Sequence, residues 1–219
     1  MTAQVDHAAV LTAALRGEPC SVVGMAERPQ RLPAPRWRGS ADAGDRALLA
    51  HCTGPTIDLG CGPGRMAEHL AARGHAVLGV DVMAEAIRQT RARGVPAIRR
   101  DLFGPLPGEG RWGCALLADG NVGIGGDPVL LLRRARGLVA VGGGVVLDLA
   151  PPGSGVRVHT VHLRAGSRRS HPFPWAVVGA DAIGGLAAAA GLGLETLHER
   201  EGRWFAVLRR AGGGPTCPE

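Results

Sequence analysis

The stretch Thr56-Ile-Asp-Leu-Gly-Cys-Gly-Pro-Gly-Arg65 decides the fold. A short apolar run ends, glycines follow at alternate positions, and a helical pattern begins. Gly60, Gly62 and Gly64 let the backbone turn sharply and approach a ligand without Cβ clashes. A nucleotide-like ligand then lies over the carboxyl end of a parallel sheet, where open α/β folds bind. The pattern differs from the dinucleotide fingerprint G-x-G-x-x-G. Arg65 stands where its last glycine would be, and Asp58 precedes the turn. A buried acid there repels a pyrophosphate and suits a cationic group.

Downstream, strand-like and helix-like segments alternate. Strands are expected over 56–59, 76–80, 95–100, 114–118 and 145–150. Helices are expected over 65–73 and 83–93, closed by Gly74 and Gly94 as C-terminal caps. Asp127-Pro128 opens a further helix to about Ala140, with a capping acid and proline at the first position. This rhythm implies a mainly parallel sheet with helices on both faces. Upstream, 5–15 and 42–52 read as helices, and 17–40 as irregular because Pro29, Pro33 and Pro35 break any helix. The last third departs from the rhythm. An extra strand is expected over 156–164, a loop over 166–174, a helix over 181–190, and an antiparallel pair over 194–198 and 204–208. The tail 211–219 is expected to be disordered.

Acidic residues recur where these strands end. Asp81 closes the second strand and is placed to accept hydrogen bonds from ribose hydroxyls. Asp101 closes the third, placed for an adenine amino group, with Leu102 and Phe103 at the ring edge. Asp119-Gly-Asn121 follows the fourth.

Together, Asp58-Leu-Gly-Cys-Gly-Pro-Gly64, Gly-Val-Asp81 and Arg-Asp101-Leu102 closely resemble the class I S-adenosylmethionine (SAM)-dependent methyltransferases. The resemblance is good over 56–150 and looser beyond. It implies an α/β, Rossmann-like fold: a mostly parallel seven-stranded sheet with helices on both faces and an antiparallel last strand. It also implies SAM as cofactor. Asp58, Gly60 and Gly62 would hold the methionine part, Asp81 the ribose, Asp101 and Leu102 the adenine, with Cys61 and Val82 also at the cofactor and Asp119 at the methyl end. Residues 1–54 would form a helical and irregular cap, 55–210 the SAM-binding domain, and 151–178 an acceptor-side insert.

Trp37, Asn121, Phe173 and Trp175 are the candidates for acceptor contact. His171-Pro-Phe-Pro-Trp175 would make a rigid aromatic wall, and Trp37 would close the site from the other side. No catalytic base stands out; Asp119, His162 and His171 are the candidates. His159 and His162, three apart on a strand, face opposite sides and make a poor metal pair. No metal site is expected.

Composition narrows the class. The chain has 219 residues, 45% hydrophobic, enough for one domain with a full core. Its net charge of +6 comes with arginine as the basic side chain throughout, and aromatics are 3%, so nucleic-acid binding through stacking platforms is not favoured. Lacking lysine and tyrosine, it must take any side-chain base from His, Asp, Glu or Cys. The five cysteines are scattered, with no C-x-x-C pair, as reduced thiols would be. No apolar run reaches membrane-spanning length and no secretory signal is evident, so a cytoplasmic protein is expected. The reading is methyl transfer to oxygen or nitrogen of a small molecule. The alternatives are a SAM-binding module without transfer, or a methyltransferase acting on RNA or protein.

Overall fold

The computed structural model describes residues 3–212. The expected tail falls mostly on 213–219, outside the described residues. The main sheet uses β4 (Thr56–Leu59), β5 (Val77–Asp81), β6 (Ala97–Arg99), β7 (Trp112–Leu117), β8 (Val139–Leu149), β12 (Gly193–Arg200) and β13 (Arg203–Arg209). It has seven strands in the order β12-β13-β8-β7-β4-β5-β6. β4 to β8 are parallel, and β13 enters antiparallel between β8 and β12. The order reverses at β4, whose neighbours are β5 and β7, and such a crevice is where ligands lie in open α/β sheets.

Alternation along each central strand feeds two separate cores. Ala115 and Leu117 of β7 pack with α6 (Pro128–Leu138) and α7 (Ile183–Ala189) through Leu131, Leu132, Leu138 and Ile183. Cys114 and Leu116 pack on the opposite face with α3 (Ala43–Leu49) and α4 (Arg65–Ala72) through Leu48, Met66 and Leu70. Burying each such leucine contributes about 1.5–3 kcal/mol, so both faces hold the strand ends in place. α5 (Ala84–Ala92) follows β5.

A second sheet departs from the expected irregular cap. It joins β1 (Ala3–Val5), β2 (Ser21–Val23) and β3 (Gln30–Arg31) with β9 (Val156–Ala165), β10 (Arg168–Ser170) and β11 (Phe173–Val178). The stretch expected as a loop over 166–174 is thus mostly strand. β10 and β11 both run antiparallel to β9, with the pairing interrupted at His171-Pro172, where proline lacks the ladder N–H. β2 lies on the other side of β9. α1 (His7–Leu15) covers this sheet through Val10, Ala13 and Ala14 against Val161, Leu163 and Ala165. The prolines also do not exclude helix from 17–40: α2 spans Ala34–Arg38 with proline in its first turn, where a missing N–H costs nothing.

Candidate cofactor and acceptor site

The crevice at the ends of β4, β5, β6 and β7 opens into a cavity of about 1000 Å³ roofed by the second sheet. Its floor is the glycine turn. Gly60 has φ 74°, and a Cβ there would sit 2.7 Å from Asn121 Nδ2. Asn121 donates to the carbonyls of Leu59 (3.0 Å) and Gly60 (2.9 Å), so it braces the turn from the β7 side. Asp81 braces it from the other side: its carboxylate accepts from Gly62 N (3.0 Å) and Met83 N (2.9 Å). Burial raises the Asp81 pKa against those two donors.

Gly60, Cys61, Gly62, Asp81, Val82, Asp101, Leu102 and Asp119 all border the cavity. Asp101 accepts from Phe103 N at 3.0 Å, which shapes the turn after β6.

Asp58 does not border the cavity. It is 1% exposed inside β4, and its Oδ2 has no hydrogen-bond partner. Burial, reinforced by Asp119 and Asp81 and opposed by Arg65, pushes its pKa up to about 7.

Asp119 also differs from expectation. It borders the cavity with φ 54°, but its carboxylate is occupied. Arg65 reaches it at 2.6 and 2.8 Å, and Arg36 at 3.1 Å. Arg65 is 4% exposed and also grips Asp45 at 2.9 and 3.0 Å. Burial alone would lower the Arg65 pKa; the pairs with Asp119 and Asp45 outweigh it and raise it. Asp45 also accepts from Arg36 at 2.9 Å and from Arg203 at 2.6 Å, and Arg203 reaches on to Asp148 at 2.7 Å. Burial opposes ionisation of Asp45, yet Arg65 and Arg203 hold its pKa at about 2. Both oxygens of the Asp119 carboxylate are thus taken up by arginines. No sequence signal marked Arg36, Arg65 and Arg203, which come together only in space.

The roof is aromatic. Trp37, Phe173 and Trp175 border the cavity, as do Leu11, Val161 and Leu163. His162 and His171 do not. His162 faces Arg169, 3.5 Å from its ring nitrogen, and burial followed by Arg169 lowers its pKa. His171 is exposed and hydrogen-bonded to Gln4 at 3.0 Å. Strand alternation turns His162 away from the inward-facing Val161 and Leu163, and His171 lies in the break between β10 and β11. His7, unremarkable in the sequence, does border the cavity, its ring 5.2 Å from that of Phe173. Among the described residues, no group of three or more His, Cys, Asp or Glu side chains is arranged to hold a metal ion, and no helix is long and apolar enough to cross a membrane.

Residues 57–103 match a family model described as a methyltransferase domain. No curated protein matches the sequence. A SAM-dependent methyltransferase structure from Bacteroides fragilis, in complex with S-adenosyl-L-homocysteine, superposes with a TM-score of 0.80 at 19% identity, covering 96% of this chain and 98% of that one. The 1,6-didemethyltoxoflavin-N1-methyltransferase of Burkholderia thailandensis gives 0.58 at 18%, covering 78% and 79%. The sugar N-methyltransferase KedS8 of a Streptoalloteichus species gives 0.58 at 17%, covering 80% and 88%. The turn that opened the sequence reading lies within the matched residues, and the chain has the class I, SAM-dependent methyltransferase fold.

Proposed function

We propose that the protein transfers a methyl group from SAM to an oxygen or nitrogen of a small-molecule acceptor. The carrying observation is a roofed cavity of about 1000 Å³, with strand-end acids on its floor and aromatics in its ceiling. It lies at the upper end of the range for small-molecule sites and has walls of two chemical kinds.

The residues fit the cofactor. The unpartnered Asp58 oxygen supplies a buried negative field suited to an ammonium group. Asp81 presents a carboxylate for ribose hydroxyls, and Asp101 with Leu102 offers a polar group and an apolar edge for adenine. SAM supplies an activated methyl on sulfur, which carries its own leaving group. The chain's task is then alignment, worth about 7–11 kcal/mol when reactants are held in attack geometry. The insert 151–178, with Trp37 from the N-terminal segment, would hold the acceptor against the floor. Two of the similar structures are named for small-molecule or sugar N-methylation, which supports the acceptor class.

The test is calorimetry with SAM followed by an acceptor screen with labelled methyl donor. Binding and labelling of small phenols, amines or sugars support the reading. Labelling of RNA or protein alone would replace the acceptor class, and tight SAM binding without turnover would favour a binding module.

A further inference from the structure

The cavity holds several groups able to accept a proton, and most are committed. Asp119 and Asp148 are held by arginines, Asp81 by two backbone N–H groups, and Cys61 is buried with its thiol pKa pushed up by that burial. Asp101 and Glu201 also border the cavity, but carboxylates as a class are weak bases at neutral pH. Of the chain's eight histidines, His7 alone borders the cavity.

Its surroundings suit proton transfer. His7 begins α1, and its Nδ1 lies 3.1 Å from Asp6 Oδ1. A carboxylate beside Nδ1 favours the tautomer with its proton there, which leaves Nε2 as acceptor, although the two side chains are 44% and 72% exposed. Phe173 lies against the ring in the aromatic roof. Asp6 is itself fixed, because the same Oδ1 accepts from Ala8 N at 3.2 Å as the helix cap. The other titratable ring tied to this helix start is that of His171, which is bonded to Gln4, while the His171 backbone N–H donates to the Val5 carbonyl.

We propose that His7, oriented by Asp6, is the general base that takes the acceptor's proton. This rests on the methyl-transfer reading above. As the acceptor O–H or N–H bond breaks, its proton passes to Nε2 of His7. The freed electron pair forms the bond to the methyl carbon, and the methyl–sulfur pair remains on sulfur, giving a neutral thioether.

The test uses full-length wild type, His7→Ala and Asp6→Asn, with p-cresol and 4-nitrophenol as probes. The second phenol is already ionised in mildly alkaline buffer and needs no base. His7→Ala is expected to lose roughly 100- to 10,000-fold in kcat/KM for p-cresol and less than threefold for 4-nitrophenol. Asp6→Asn, which keeps a capping oxygen, should lose less than His7→Ala for p-cresol and shift the acidic limb of the pH profile. S-adenosylhomocysteine affinity should be unchanged in both variants. An independent readout is the His7 ring resonance by NMR in the S-adenosylhomocysteine complex, which p-cresol should perturb. Equal losses for both phenols, no loss for p-cresol, or an unperturbed His7 ring would overturn the proposal. Failure of wild type to bind S-adenosylhomocysteine would instead overturn the functional reading itself.

Discussion

Asp58 stands between two opposing demands, full burial and a charge. Its carboxyl, pushed up to about 7, keeps its proton in the fold where an unfolded chain releases it near 3.8. The folded state therefore binds more protons between about pH 4 and pH 7, and ligand-free stability should fall as pH climbs through that window. Thermal unfolding at pH 5 and pH 8 should show this in wild type, and Asp58→Asn should remove it. A cationic ligand reverses the balance by favouring the ionised form, so SAM affinity in calorimetry should weaken as pH drops below about 7, with proton release on binding. Asp81 makes a different prediction. Its carboxylate holds Gly62 and Met83 and faces the cavity. Asp81→Ala should weaken SAM binding by roughly 1.5–3 kcal/mol, as for hydrogen bonds to a charged group; unchanged calorimetric affinity in a folded variant would place the ribose elsewhere. Both acids were legible because strand-end position and residue type are written locally. The burial of Asp58 was legible too; that it stands back from the cavity border was not.

At the scale of elements, the Arg–Asp network ties α2, α3 and α4 to β13. Asp45 on α3 accepts from Arg36, Arg65 and Arg203 and also completes a capping box with Asp42. Asp45→Ala takes one partner from buried Arg65 and from Arg203, which keep Asp119 and Asp148, so the loss should stay below about 3–5 kcal/mol, the cost of a buried charge left unpaired. A fall in the denaturation midpoint without a change in slope would show it. In wild type the Asp45 pairing contributes above pH 4 and is lost as pH falls through about 2, a swing of about 2 kcal/mol, in acid titration of stability. A second joint links floor to roof. A Cβ on Gly123, in the turn after β7, would lie 1.9 Å from the Ala176 carbonyl of β11. Gly123→Ala should cost about 1–3 kcal/mol by overpacking, read as a lower Tm with altered fluorescence of the adjacent tryptophan. The helices and parallel strands were readable because each carries its own period and caps. The network was not, since its members lie on elements far apart in the chain and each arginine alone looks like a surface charge.

At the scale of the molecule, the parallel sheet and its antiparallel last strand follow the sequence expectation in strand number and direction. The second sheet does not, and the reason is physical. β1, β2, β3 and β10 are two or three residues long, too short for alternation to register, and their partners lie far along the chain. Ala3 pairs with Arg168 and Ser21 with Arg164. A local signal did exist at Gly166-Ser167, a two-residue hairpin turn between Ala165 and Arg168, but the prolines and charges around it read as loop. Of the acceptor candidates, Trp37, Phe173, Trp175 and Asn121 all reach the cavity, because aromatic and proline-rich segments tend to be placed on rigid walls. His162 and His171 do not, since facing direction on an unrecognised strand pair was unknowable.

That long-range pairing has a temporal meaning. A nascent chain can assemble the parallel strands and their glycine turn as they emerge, but the ceiling closes only when the first residues meet a hairpin made much later. Loops of that length close slowly. Newly made protein should thus acquire nucleoside affinity before it can hold an acceptor.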